Sequence, residues 1–305
     1  MAAAAPRAVL VTGASTGIGH CITLRLARQG HRVFAGARKA SDLHALGEIE
    51  NVLPLELDVT QPDQIERAIG QVQAAGGGLW GLVNNAGIGG LGPMHTWADD
   101  ELRALFDTNV MGPLRLSRAC LDLLLAAGGR IVHIGSQGGS ITSAGFGPYT
   151  ATKHALEALA QCQREELAPH GVLVSIVQPG GVATAIGANG RAGTQARLRR
   201  ALPPFRADAV EALAQMDRPT AYRAEGAESA ANRRLSPPDA VAEAVEHALF
   251  AAVPRARYLV GTRWEGERVL RNLTERLLDA NQGEAMGYSR DELVALLDAG
   301  LAART

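Results

Sequence analysis

Tyr149 and Lys153 stand four residues apart in a stretch with helical periodicity. That spacing puts a phenol and an ammonium on one helix face. A free phenol has a pKa of about 10, too high for a base at neutral pH, and a nearby cation favours its ionised form. Such a pair can take a proton from an alcohol or give one to a carbonyl oxygen. The chain has only two lysines, Lys39 and Lys153, so 28 of its 30 basic residues are arginine. Arginine, bulkier and planar, would fill the place of Lys153 poorly. Three serines precede the pair: Ser136, Ser140 and Ser143. Each carries a hydroxyl able to hold a substrate oxygen and steady developing charge. On its own the Tyr and Lys spacing also describes a plain surface pair, so other motifs must decide.

A second constellation lies near the start of the chain. Thr12-Gly13-Ala14-Ser15-Thr16-Gly17-Ile18-Gly19 has glycines at a G-x3-G-x-G spacing, after an apolar run and before a helical one. Glycine lets the backbone turn tightly and approach a pyrophosphate, and the free N–H groups of the following helix favour anions. Ser15 and Thr16 add hydroxyl donors. No Gly-Lys-Ser/Thr follows, which excludes a nucleoside-triphosphate loop. Dinucleotide binding is the expectation. The second strand ends in Gly36-Ala37-Arg38-Lys39, with Ala37 where an acid would hold a ribose diol. The guanidinium of Arg38, helped by Lys39, suits a 2′-phosphate, so NADP(H) is expected in preference to NAD(H). Asp58 ends the third strand and is placed either to meet the adenine amino group or to cap a helix.

The elements that must position these groups follow an alternating pattern. Strands are expected at residues 7–12, 32–37, 52–59, 79–84, 130–135, 172–177 and 257–260. Helices are expected at 17–29, from about 99 to 125 with a bend near Gly112-Pro113, and at 148–168. Helix starts are read at Thr60-Gln61-Pro62-Asp63, at Ser236-Pro237-Pro238-Asp239 and at Ser289 with Glu292 in a capping box. Near-continuous apolar strands separated by helices imply a parallel sheet covered on both faces. Its ligands bind beyond the carboxyl ends of the strands. Residues 183–235 show no strand and carry Arg197, Arg199 and Arg200, expected as the solvated face of a lid. Residues 264–305 carry two helical patterns, one through Val269, Leu270, Leu273, Leu277 and Leu278.

The formal charge of −1 over 305 residues argues against a nucleic-acid binder. No apolar run approaches the ~18 residues of a membrane span. The N-terminal segment does not read as a signal peptide, so a cytoplasmic location is expected. Cys21, Cys120 and Cys162 form no metal or disulfide pattern and are expected as buried thiols. The eight histidines show no metal pattern, and His20, His133 and His154 are expected in packing or surface roles.

Taken together, these segments resemble the short-chain dehydrogenases/reductases over roughly residues 6 to 262. The match runs through Thr12–Gly19, Asp58-Val59, Asn84-Asn85-Ala86-Gly87, Asn109, the set Ser136/Tyr149/Lys153, and Pro179-Gly180-Gly181-Val182-Ala183-Thr184. The resemblance implies that Ser136, 13 residues before Tyr149, is the catalytic serine. It implies that Asn109 holds a water linking Lys153 to solvent. It places Gly13, Ser15, Thr16, Gly17, Ile18, Gly19, Arg38, Lys39, Asp58, Val59, Asn85, Ala86 and Gly87 around the cofactor. Pro179, Gly180, Val182 and Thr184 would hold the nicotinamide carboxamide, and Tyr149 and Lys153 would touch its ribose side. No metal is implied.

The fold class expected is α/β: a Rossmann-type doubly wound parallel sheet in a single domain, 1–305, with a lid at about 183–235 and a helical C-terminal extension at about 264–305. The activity expected is NADP(H)-dependent interconversion of an alcohol and a ketone or aldehyde. A looser likeness to the hydroxysteroid- and retinol-type branch suggests a hydrophobic substrate. The resemblance further implies a homodimer or homotetramer built on the helix of Tyr149, where Leu156 and Leu159 are apolar. A non-catalytic cofactor-binding regulator and a methyltransferase are the competing classes. The first has no need of Ser136, Tyr149 and Lys153 together, and the second has no need of Tyr-x-x-x-Lys.

Overall fold

Ala8–Thr12 (β1) reads AVLVT, and all five residues are buried. Successive side chains of a strand point to opposite faces. Val9 and Val11 accordingly join one core with Ile22, Leu26 and Val245, while Leu10 joins another with Ile65, Leu116 and Leu124. One strand thus serves two helical layers. The computed structural model describes residues 6–184, 186–216, 227–229, 232–283 and 287–303. The remaining parts of the 183–235 segment and of the tail lie outside the described residues.

The other elements follow in alternation: Gly17–Arg28 (α1), Arg32–Ala37 (β2), Ala40–Gly47 (α2), Val52–Glu56 (β3), Pro62–Ala74 (α3), Gly81–Asn84 (β4), Asp99–Phe106 (α4), Gly112–Ala119 (α5), Leu121–Ala127 (α6), Arg130–Ile134 (β5), Gly147–Leu167 (α7) and Leu173–Pro179 (β6). Then come Ile186–Arg199 (α8), Arg206–Met216 (α9), Pro238–Phe250 (α10), Arg257–Val260 (β7), Arg263–Ala280 (α11) and Arg290–Ala302 (α12). The seven strands form one parallel sheet in the order β3-β2-β1-β4-β5-β6-β7. The order reverses between β1 and β4, which makes their carboxyl edge a crevice. Leu82, Ile131 and Ile176 are fully buried in the middle of the sheet. Burying each such side chain contributes about 1.5–3 kcal/mol.

Several local expectations change. The bend before α5 is a π-helical turn, Asp107–Met111, just ahead of Gly112-Pro113. A π-turn inserts one residue into the helical ladder, and here it presents Asn109. Residue Gln61, not Thr60, is the cap of α3 and gives no side-chain bond, because the Thr60 hydroxyl donates to Asp58 Oδ1 at 2.8 Å instead. Pro237, not Ser236, caps α10. Ser236 is drawn away by pairing with Val182, its N–H donating to the Gly181 carbonyl at 2.8 Å.

The segment after β6 folds into α8 and α9, which share a small cluster of Leu198, Ala201, Ala209, Leu213 and Met216. Val210, also on α9, is exposed. Arg197 is not on a solvated face. It is 4% exposed, stacks on Trp97 at 3.7 Å, and donates to the Leu91 carbonyl and Glu101, each at 2.8 Å. Leu156 packs on Ala160 and Ile176 rather than outward, while Leu159 is half-buried. Of the cysteines only Cys120 is buried; Cys21 is half-buried and Cys162 exposed. The capping boxes at Thr262 and Ser289 start α11 and α12.

Candidate active site

The glycine-rich turn joins β1 to α1. Gly13 and Gly17 sit at φ +63° and +56°, a region that L side chains rarely adopt. A Cβ on Gly19 would collide with the Gly13 carbonyl and the Asn85 amide. Asn85 ties the turn to the end of β4: its Nδ2 donates to the carbonyls of Thr12 at 2.8 Å and Gly13 at 3.1 Å. The Thr12 hydroxyl accepts from the N–H groups of Asn85 and Ala86 at 3.0 and 2.9 Å. Thr12, which opens the glycine-rich motif, is the hinge pin of this corner. Thr16 caps α1 without a side-chain bond, and the first turn holds no acid. A 12-residue helix therefore presents its N-terminal N–H groups and positive dipole end at this turn, a setting that favours an anion. This cradle, which no Cβ could share, fits a pyrophosphate. Ser15 is half-buried on its rim, and Ile18 packs into the core below.

At the end of β2, Arg38 is largely exposed and lies 3.7 Å from Asp58. Lys39 is exposed at the cap of α2. Asp58 resists protonation: burial raises its pKa, but the Thr60 bonds and Arg38 outweigh that and hold it low. Its carboxylate thus braces a turn and orients Arg38 at once. The Val59 side chain is 4% exposed in the core, so only its backbone can meet a ligand.

The second cluster lies at the carboxyl ends of β4 and β5. Ser136 and Tyr149 stand together across Gly138, where a Cβ would lie 3.3 Å from Ser136 Oγ and 3.7 Å from Tyr149 Cε1. The Ser136 hydroxyl also accepts from the Gly138 N–H at 3.0 Å, which fixes its direction. Lys153 is 6% exposed, and its ammonium donates to the Ile134 carbonyl at 2.9 Å. Burial pushes its pKa down to about 8, with Glu157 opposing. Asn109 is 1% exposed on the π-turn. Its amide exchanges two 2.9 Å bonds with the backbone of Ile88 and donates to Thr152 at 3.1 Å. A Cβ on Gly87 would lie 3.3 Å from Asn109 Oδ1 and 3.9 Å from Lys153 Nζ. Asn109, Gly87 and Lys153 thus share one corner. Ser140 bonds Gln178 instead and Ser143 is exposed, so neither joins the Tyr149 hydroxyl.

One electrostatic expectation fails in the protein alone. Burial raises the Tyr149 pKa, only partly offset by the nearby Ser136 hydroxyl. The ammonium of Lys153 lies 5.8 Å from the centre of the Tyr149 ring and is engaged by a carbonyl. Desolvation of the phenolate wins over an ammonium at that range.

The Pro179-Gly180-Gly181 segment is held by a residue that sequence reasoning missed. Glu265, on the first turn of α11, is fully buried. It accepts from the Gly181 N–H at 2.8 Å and from Arg233 at 2.5 Å. Its other oxygen accepts from the Thr262 N–H, closing the capping box. The Thr-x-x-Glu spacing was the available signal. Around Ser136, Tyr149, Val182 and Thr184 opens a cleft of about 1050 Å³. His133 is buried beneath, bonded to Gln163 at 2.9 Å, and His154 bonds the Thr150 carbonyl. His20 is half-buried on α1. Among the described residues no group of three His, Cys, Asp or Glu could hold a metal ion, and no helix is long and apolar enough to cross a membrane.

Comparison with known proteins adds a family. Residues 7–195 match the short chain dehydrogenase family profile. The uncharacterized oxidoreductase YbbO of Escherichia coli (strain K12) is 33% identical over 90% of this chain and 93% of its own. The mitochondrial D-beta-hydroxybutyrate dehydrogenase of Rattus norvegicus is 31% identical over 84% of this chain and 77% of its own. A crystal structure of a short chain dehydrogenase from Burkholderia cenocepacia J2315 in complex with NADP superposes with a TM-score of 0.66. It is 25% identical and covers 90% of this chain and 96% of that one.

Proposed function

This chain belongs to the short-chain dehydrogenase family, and from that premise we propose that it interconverts an alcohol and a ketone or aldehyde with NADP(H). The observation that carries the proposal is the juxtaposition of Ser136 and Tyr149 in one cleft beside buried Lys153, at the same sheet edge as the glycine cradle. When bound, the dinucleotide supplies or accepts the hydride. The chain's residues do the rest. Tyr149 gives its phenolic proton to the carbonyl oxygen, or takes one from the alcohol. Ser136, its hydroxyl aimed by Gly138, donates to the same oxygen and steadies its developing charge. Lys153 returns a proton toward Tyr149 through the polar corner it shares with Asn109 and Gly87. The Val182 backbone and Thr184 hydroxyl orient the nicotinamide carboxamide.

Arg38 and Lys39, with no acid at Ala37, support NADP(H) over NAD(H). The apolar lining of the cleft, with Leu91, Ile141, Phe146, Ile186 and Leu235, supports a substrate with a hydrophobic body. Residues 183–235 act in this reading as a lid and 264–305 as a helical extension of a single domain. A cytoplasmic homodimer or homotetramer completes it; sedimentation giving a monomer mass would remove the oligomer alone.

The test supplies NADPH with a carbonyl panel and NADP+ with an alcohol panel while cofactor absorbance is followed. Turnover is expected in at least one direction. Arg38→Asp is expected to lower the preference for NADPH over NADH by about tenfold or more, the loss of a charge-assisted phosphate contact. Wild-type preference for NADH would overturn the cofactor choice.

A further inference from the structure

The cleft carries an uneven charge. Arg191, Arg233 and Arg268 line it, and among its described lining residues there is no Asp, Glu or Lys. The three arginines come from α8, from the chain ahead of α10, and from α11. Arg233 is partly neutralised by Glu265. Arg191 donates to the Met216 carbonyl at 2.8 Å, which ties it to the end of α9. Arg268 has a different setting. Its guanidinium lies over the Trp264 ring, 4.9 Å from the centroid, and it is half-buried. Stacking of this kind occupies the face of the guanidinium and leaves the edge of its fork for a planar anion.

The placement of Arg268 is built in. Glu265 fastens the first turn of α11 to Gly181, and Arg268 follows three residues on, on the same helix face. Val269, 2% exposed, packs the next position into the body. Arg268 is thus carried on a pinned helix rather than a free loop. An apolar cleft with a cationic wall selects a ligand with an apolar body and an anionic end.

We infer that the substrate is an apolar hydroxy or oxo acid whose carboxylate is bound by Arg268. This rests on the redox reading of the same cleft, and the test separates the two. Enzyme saturated with NADP+ is titrated by calorimetry with a medium-chain oxo acid and with its methyl ester; no hydride can move in that complex. The acid is expected to bind about tenfold or more tighter than the ester, equal to about 1.4 kcal/mol. Arg268→Gln is expected to remove that difference and leave ester affinity unchanged, and Arg268→Lys to keep part of it. In NADPH-driven reduction, Arg268→Gln should raise KM for the acid while kcat stays near wild type. Equal affinity for acid and ester, or equal absence of both, would overturn the inference. So would a tenfold loss of NADPH affinity in Arg268→Gln with the acid preference intact, since the arginine would then serve the cofactor's phosphates. Selective acid binding without reduction of any oxo acid would sink the redox reading and leave the subsite standing. Reduction of acids and esters with equal efficiency would do the reverse.

Discussion

His133 and Lys153 are both buried, and burial drives both toward their neutral forms. His133 is pushed down to about 4, with its bond to Gln163 opposing the shift. Lys153 is pushed down to about 8. For His133 the consequence for stability has a definite sign. The unfolded chain takes up the proton near pH 6.5, and the folded one only near pH 4. Between those values the unfolded state binds more protons, so stability is full above about pH 6.5 and falls as the pH drops toward 4. The loss attributable to this residue is about 3 kcal/mol. Urea denaturation at pH 7 and pH 4.5 should show it, and in His133→Gln the change between the two pH values should shrink accordingly. An unchanged pH dependence in the variant would contradict the buried, neutral imidazole. The Tyr and Lys spacing was readable from the chain because it lies within one helical turn. The raised pKa of Tyr149 was not, because it depends on burial by residues from several elements.

At the scale of elements, what could be read and what could not divide by physical cause. β1, β2 and β7 announce themselves because their apolar runs are bounded by polar or glycine residues. The start of α12 announces itself through its reciprocal capping box, whereas the matching Thr262–Glu265 box at α11 went unread. α8 was hidden because Gly187, Gly190 and Gly193 lower its intrinsic helix propensity by about 1 kcal/mol each. Tertiary contacts override that weakness: Arg197 clasps the helix to Leu91 and Glu101, and a Cβ on Gly190 would meet the Gly89 carbonyl at 2.7 Å. The π-turn was placed a few residues late because Gly112-Pro113 is the visible breaker, while the inserted residue has no sequence mark. Glu265 was missed because its partner Gly181 is 84 residues away. The corner between β1 and α1 supplies the sharpest prediction at this scale. Gly19→Ala would force a methyl into the Gly13 carbonyl. NADPH affinity, followed by the fluorescence of the reduced cofactor, should fall by more than about tenfold, equal to about 1.4 kcal/mol. Retained affinity would show that the turn does not cradle the pyrophosphate.

For the whole molecule, the parallel sheet does the positioning. Its reversal of order between β1 and β4 gathers the glycine cradle, Asn85, Ser136 and Pro179 along one edge, although they span more than half the chain. α7 lays Tyr149 and Lys153 across that edge, and α11 closes the outer wall through Glu265. The fold class and the order of motifs were legible because each motif sits at a strand end. The charge of the cleft wall was not, because Arg191, Arg233 and Arg268 meet only after folding.

The account turns on proton transfer by Tyr149, and one comparison tests it most directly. Wild type and Tyr149→Phe are assayed side by side with NADPH and the best carbonyl substrate, with NADPH binding measured on both. The variant is expected to bind NADPH as wild type does and to lose at least about a hundredfold in kcat, the usual range for a positioned acid or base. A variant that binds the cofactor and turns over at the wild-type rate would contradict the assignment.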